Sequence, residues 1–269
     1  LFDAGGARIA VHDSGAHGPP VVLLHGNSLS SRGFQRQLEG RLGASYRLLA
    51  IDFPGHGASG KASDPATAYS IPALARVVAD VANALDAASA AFVGWSLGGH
   101  VLLEATALLD RAAGFCIFGA PPLAVPPAMD EAFLAHPAVP DLFKDELTDD
   151  QIRTRVSACL RPGAPIPDEF VDDVRSTDRC FRSALLASLG GVGYRDEVEI
   201  VAALDRPLAV FHGVDEQIVN AAYLCAVRMP TLWRGCVQLV EGAGHSPQWE
   251  SPGRFDALLS AFVHDTATC

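Results

Sequence analysis

Residues Gly94-Trp95-Ser96-Leu97-Gly98 place the tightest constraint on what this chain can fold into. They follow a short apolar run, Ala91-Phe92-Val93, and precede a helically patterned segment that begins near Gly99. In that setting Gly-x-Ser-x-Gly reads as a strand turning sharply into a helix, with the serine at a strained apex and its hydroxyl exposed. A Cβ on either outer residue would collide with the adjoining strand and helix backbones, which asks for glycine at both. The same letters in an ordinary loop would mean little, so the weight falls on whether partners for the serine exist elsewhere.

A serine hydroxyl is a weak nucleophile that needs a base, and the base needs an acid to orient it. After a strand-to-helix serine the expected chain order is Ser, then Asp or Glu, then His. The chain supplies both in that order. Leu208-Ala209-Val210-Phe211-His212-Gly213-Val214-Asp215-Glu216 reads as a buried strand followed by a turn with two carboxylates. Gly242-Ala243-Gly244-His245-Ser246-Pro247 puts a histidine on a glycine- and proline-flanked loop, where catalytic groups tend to sit. Ser96, His245 and one of the two carboxylates are therefore the candidate catalytic set.

The rest of the chain repeats the strand-then-helix rhythm. Apolar runs at 21–24, 48–51, 91–93, 115–118, 208–211 and 237–240 read as strands buried on both faces. Helical patterns cover 33–42, 71–85, 99–109, 221–228 and 252–263. Residues 8–12 suggest an antiparallel edge strand. The predicted class is α/β: a mostly parallel sheet flanked by helices, with ligands bound beyond the carboxyl ends of the strands. His25, Asp52, Ser96 and Glu216 lie just past such ends and should share one rim. Residues 121–205 break the rhythm. They open on Ala120-Pro121-Pro122 and Val125-Pro126-Pro127, show helical stretches at 149–160, 168–175 and 181–189, and return through Gly190-Gly191-Val192-Gly193. The expectation is a core of 1–120 and 206–269 with a helical lid inserted over 121–205.

Composition narrows the function classes. With 49% hydrophobic and 19% charged residues in 269, the chain is globular and long enough for one large core. A net charge of −11 argues against nucleic acid and anionic membrane surfaces as partners. No apolar run reaches transmembrane length and no signal-peptide pattern opens the chain, so the expected location is cytoplasmic. The six cysteines (116, 159, 180, 225, 236 and 269) are scattered, as reduced thiols would be. No His-x-His-x-Asp-His cluster occurs among the nine histidines, so no metal and no cofactor is expected.

His25-Gly26-Asn27, Asp52-Phe53-Pro54-Gly55-His56-Gly57-Ala58-Ser59, the Ser96 turn, Gly213-Val214-Asp215-Glu216 and Gly244-His245 together give the chain a plain resemblance to the α/β-hydrolase fold family over nearly its full length. In that family the acid stands three residues after the glycine that ends its strand, which here is Glu216; Asp215 is the fallback. Most relatives carry Asp there, and Glu adds one methylene of reach. A narrower resemblance, carried by His25-Gly26-Asn27-Ser28, Gly94 to His100, Gly119-Ala120-Pro121-Pro122 and Asp215-Glu216, is to the α/β-hydrolase type of N-acyl-homoserine lactonase, which opens the lactone ring of bacterial quorum-sensing signals and also uses Glu as the acid.

The resemblance implies that Ser96 attacks the lactone carbonyl, His245 moves the proton, and Glu216 orients His245. It implies an oxyanion hole from the backbone N–H groups of Leu97 and Asn27. Asn27 is expected either to touch substrate through its side chain or to hold its loop, and Trp95 to pack beside the turn with an edge toward the acyl pocket. Asp52, His56 and Ser59 are expected to brace a turn, His25 to be structural, and His100 to pack or hydrogen-bond. Phe133, Phe143, Phe170 and Phe181 would line an acyl channel or form lid core. The rival readings are a general carboxylesterase, a carbon–carbon bond hydrolase and a small-molecule receptor. Haloalkane dehalogenases and epoxide hydrolases use an Asp nucleophile and do not fit Ser96.

Overall fold

A strand covered on both faces has no polar side to present, so its sequence is continuously apolar while its residues still alternate between the two faces. That is how the central sheet is built. In the computed structural model, which describes residues 1–267, a hairpin of β1 (Phe2–Ala4) and β2 (Ala7–Ile9) leads into β3 (Val11–Asp13). The buried runs follow as β4 (Pro20–Leu24), β5 (Arg47–Ile51), β6 (Ala91–Trp95), β7 (Gly114–Phe118), β8 (Leu208–Gly213) and β9 (Gln238–Val240). Seven strands pair in the order β3-β5-β4-β6-β7-β8-β9. Only β3 runs antiparallel to its neighbour.

Alternation splits the core in two. Val22 and Leu24 of β4 pack with Leu49, Ile51 and the helices Ile71–Ala84 and Leu97–Ala105. Val21 and Leu23 pack on the other face with Leu48, Val93, Phe255 and Phe262, the last two from the helix Pro252–Ala267. Helix Ile71–Ala84 starts where the Ser70 side chain accepts the Ala73 N–H at 3.3 Å, with Pro72 in its first turn.

Two sequence expectations need correction. The edge strand expected at 8–12 is divided, with Ala7–Ile9 in the terminal hairpin and Val11–Asp13 in the main sheet. The helix expected at 33–42 is three short pieces, Ser31–Phe34, Gln35–Leu38 and Arg41–Ser45. The chain turns at Gly40, where a Cβ would stand 2.4 Å from the Arg36 carbonyl oxygen. Cys269, among the thiols counted above, lies outside the described residues.

Between β7 and β8 the chain forms no strand of the sheet. It contributes the helices Asp149–Ala158, Asp168–Ser176 and Phe181–Ser188. The short helices Met129–Ala132 and Val139–Phe143 and the helix Glu197–Ala203 were not expected from sequence. Among the described residues no helix is long and apolar enough to cross a membrane.

Asp52 ties the turn after β5. It accepts the Ser31 N–H at 2.7 Å and the Ala58 N–H at 2.9 Å, while the Ser59 hydroxyl donates to its carbonyl at 2.6 Å. Burial alone would raise its pKa, but the His12 hydrogen bond and these N–H groups outweigh burial and hold it well below the usual carboxylate range. A folded pKa below the unfolded one gives stability that is complete above the unfolded value and is lost as pH falls toward the folded one. Asp52→Asn is therefore expected to lower unfolding free energy by about 2 kcal/mol at pH 7. The gap to wild type should close as pH drops below about 4. Urea unfolding at several pH values measures this, and a gap that persists undiminished at pH 3 contradicts it.

Candidate active site

The turn after β6 is as strained as its sequence requires. Ser96 has φ 54° and ψ −119°, a left-handed conformation that side chains rarely adopt. It is held there because its N–H donates to the Phe118 carbonyl at 2.8 Å and its own carbonyl accepts the Gly99 N–H at 2.8 Å. A Cβ on Gly94 would lie 2.4 Å from the Gly98 oxygen, and one on Gly98 2.3 Å from the Leu24 oxygen. The crossing of strand and helix is thus closed to anything larger than glycine.

Two later strand ends bring the partners. Glu216 follows β8 and its side chain is 2% exposed; His245 follows β9 and its side chain is 3% exposed. His245 Nδ1 stands 2.8 Å from Glu216 Oε2, and Glu216 Oε1 accepts the Ile218 N–H at 2.8 Å. Burial pushes the Glu216 carboxyl up, but the neighbouring His245 ring, its hydrogen bond and the Ile218 N–H more than offset this, so it sits below the ordinary value. Asp215 is exposed and makes no side-chain hydrogen bond to His245. The geometry therefore pairs His245 with Glu216. Trp95, fully buried, donates its Nε1 proton to the His245 carbonyl at 2.8 Å and so ties the histidine loop to the residue beside Ser96. Gly119 lets the imidazole close in, because a Cβ there would be 2.6 Å from His245 Cε1.

Ser96 and His245 open on one cavity, which Asn27, Trp95, Leu97 and Gly119 also line. Leu97 begins its helix, so its N–H has no preceding turn to donate to. The Asn27 N–H has no partner among the described residues. The Asn27 side chain is largely committed to its loop and to the insertion: Nδ2 donates to the Leu142 carbonyl at 2.9 Å and Oδ1 accepts from Ser28 at 2.9 Å. Of the four phenylalanines, Phe133 and Phe143 reach the cavity, whereas Phe170 and Phe181 are fully buried away from it.

Behind this rim the expected bracing residues do brace. His25 donates through Nδ1 to the Gly26 carbonyl and accepts the Phe53 N–H at 3.0 Å on Nε2. His56 uses both ring nitrogens too, on the Pro54 carbonyl and the Ser28 N–H. Burial lowers the pKa of each, so both are neutral.

Arg155 was not anticipated. It is 2% exposed, lines the cavity, and donates through Nη2 to the Asn27 carbonyl at 2.7 Å. Burial brings its pKa down to about 9. The signal was available: Ile152, Arg155, Val156 and Cys159 recur at helical spacing and form the buried face of their helix.

A strained serine at a strand-to-helix turn, with a Glu-paired histidine brought up by two later strand ends, defines a hydrolase of the α/β type. The chain belongs to the alpha/beta hydrolase family, whose profile matches residues 21–258. Its relatives make it a carboxylic ester hydrolase. It is 31% identical over 260 residues to the pimeloyl-[acyl-carrier protein] methyl ester esterase of Xanthomonas campestris pv. campestris (strain B100), covering 92% of this chain and 96% of that one. It is similar to the solved structure of a mutant of N-acyl homoserine lactonase AidH complexed with N-hexanoyl homoserine lactone, with a TM-score of 0.95, 32% identity, and 99% and 97% of the two chains covered. A thermophilic esterase from Thermogutta terrifontis shares the fold at a TM-score of 0.78 and 20% identity, with 96% and 93% covered.

The pairing of His245 with Glu216 predicts how the serine responds to substitution. Glu216→Gln is expected to slow fluorophosphonate labelling of Ser96 by about a hundredfold or more, and Asp215→Asn by less than about threefold. Labelling rates measured side by side check this, and the reverse ranking would assign the acid to Asp215.

Proposed function

We propose that this protein is a serine hydrolase that opens the lactone ring of N-acyl-homoserine lactones and thereby quenches quorum signals. The observation that carries this reading is the cavity itself. Its polar groups are few and lie near Ser96, apart from His100 and Arg155, and the rest of the wall supplied by residues 121–205 is mostly carbon, including Leu123, Phe133, Leu142 and Leu185. A compact polar ring with an apolar acyl tail fits that division. The likeness to AidH supports it, since that lactonase was solved in complex with N-hexanoyl homoserine lactone. The helical segment over 121–205 acts in this reading as a lid above the strand ends, on a core of 1–120 and 206–269, in a cytoplasmic enzyme.

In the mechanism, Ser96 Oγ attacks the lactone carbonyl while His245 Nε2 takes its proton. Glu216 holds the Nδ1 proton and stabilises the imidazolium that forms. The oxyanion is met by the Leu97 and Asn27 N–H groups, each such donor being worth about 10²–10³ in rate. His245 returns the proton to the ring oxygen, which leaves as a hydroxyl still tethered to the acyl-enzyme. Water, activated by the same histidine, then attacks the acyl carbon and frees Ser96. The product is one open-chain hydroxy acid. Trp95 keeps His245 in register and forms part of the pocket floor.

A second reading, cleavage of a methyl ester, draws on the name of the curated relative that matches 92% of the chain. One experiment separates the two. Acid release from N-acyl-homoserine lactones of several chain lengths is followed by pH-stat titration, with Ser96→Ala as control. Rapid release that falls by about 10⁴ or more in the variant is the expected result. No lactone opening, with methyl esters still cleaved, overturns the lactonase reading in favour of the esterase.

A further inference from the structure

A second histidine–carboxylate pair stands on the same cavity. His100 lies four residues beyond Ser96 on the helix Leu97–Ala105, and its N–H donates to the Ser96 carbonyl at 3.3 Å. Four residues advance a helix by about 6 Å, so His100 is one turn from the serine. Its Nδ1 stands 3.0 and 2.9 Å from the two oxygens of Glu197, whose side chain has no exposed surface. Glu197 also accepts the Tyr194 hydroxyl at 3.1 Å and the Leu123 N–H at 2.9 Å. A carboxylate receiving this many donors is an acceptor throughout, so it fixes the proton on His100 Nδ1.

That leaves Nε2. His25 and His56 spend both ring nitrogens on the protein, as structural histidines do. His100 spends one. Its Nε2 makes no hydrogen bond among the described residues, and the ring, in a residue 8% exposed, lines the cavity beside Leu123, Ile71 and Leu189. An unpaired ring nitrogen on a histidine fixed by a buried carboxylate, in a residue that lines a mostly apolar cavity, is a hydrogen-bond site awaiting a ligand.

We propose that His100 contacts the substrate and sets its specificity: Nε2 accepts the N–H of an acylamino group next to the scissile carbonyl, with Glu197 as the positioning residue. The substrate class in this inference rests on the acyl-lactone reading above. In an α-acylamino lactone the amide nitrogen is two bonds from the carbonyl carbon that Ser96 attacks, a position within reach of a side chain one helical turn away. An amide N–H left unpaired against aliphatic carbon would lose its water partner, so a site that pairs it prefers such substrates over analogues that lack it.

The test compares kcat/KM for an α-acylamino-γ-lactone with that for an α-alkyl-γ-lactone of equal length, in wild type, His100→Leu, His100→Gln and Glu197→Gln. His100→Leu is expected to lose about tenfold or more on the acylamino lactone, mainly through KM, and less than about twofold on the alkyl lactone. His100→Gln, which keeps an acceptor, should recover part of the loss. Glu197→Gln, which no longer fixes the Nδ1 proton, should narrow the preference in the same direction. A variant that fails to fold would slow both substrates together, so the ratio reads the contact alone. Equal loss on both lactones, or loss on neither, overturns the proposal. Should wild type open neither lactone, the acyl-lactone reading fails by itself. The same ratio is then taken on an α-acylamino methyl ester against an α-alkyl methyl ester, where a selective loss supports the His100 contact and an equal loss overturns it.

Discussion

Ser96 is held in a conformation that costs about 1–3 kcal/mol wherever a non-glycine residue adopts it. Much of the molecule reads as the means of enforcing it. The Phe118 carbonyl fixes the serine N–H from the neighbouring strand, so the pairing of β6 with β7 is a condition of the turn. Gly94 and Gly98 allow the helix to start against the strand that feeds it, and Gly98 also lies hard against the end of β4. The first residue of that helix, Leu97, lines the cavity with an N–H that has no preceding turn to donate to. One backbone angle thus links the packing of three strands to the chemistry at their ends.

Around this point burial and close neighbours settle the titratable groups between them. His25 and His56 are kept neutral and serve as braces, while Glu216 is kept ionised by the histidine it orients. The insertion is fastened to the 25–32 loop by polar contacts of its own. Arg155 reaches the Asn27 carbonyl, Arg182 the Ser28 hydroxyl at 2.9 Å, and Asp173 accepts from Ser30 at 2.7 Å and from Arg32. Burial lowers the pKa of both insertion arginines. The loop that carries the Asn27 N–H is therefore shaped from above as well as from the sheet below.

The fold was legible because parallel strands covered on both faces leave unbroken apolar runs, and each such run became a strand within two residues of its expected limits. That Glu216 and not Asp215 stands beside His245 was expected only through the family resemblance, which sets the acid three residues after the glycine that ends its strand. Helix Glu197–Ala203 was not, because Val198, Ile200 and Val201 are β-branched and weaken a helical reading that only the Asp196 cap and tertiary packing restore. Nor was the broken stretch after residue 31, where Gly40 sits inside an otherwise helical pattern. Arg155 and the second nitrogen of His100 escaped for a different reason. A sequence shows which face of a helix is apolar, but only packing shows where the polar member of that face ends, Arg155 on the Asn27 carbonyl beside the cavity and His100 on Glu197 with its other nitrogen unpaired.

The Ser96–His245–Glu216 cluster and much of the cavity wall come from different parts of the chain. Ser96, Glu216 and His245 hang from three strand ends of the sheet, whereas one side of the cavity, with Leu123, Phe133, Leu142, Arg155 and Leu185, comes from a single uninterrupted run; the other side, with Leu29, Ile71 and His100, comes from the core. A lineage carrying this gene can therefore accumulate changes across one block of codons and drift in what it accepts, while the bond-breaking apparatus is inherited intact. Selection would read those two stretches at different speeds: the turn at Gly94 tolerates almost no variation, and the residues facing it across the cavity are where new diets begin.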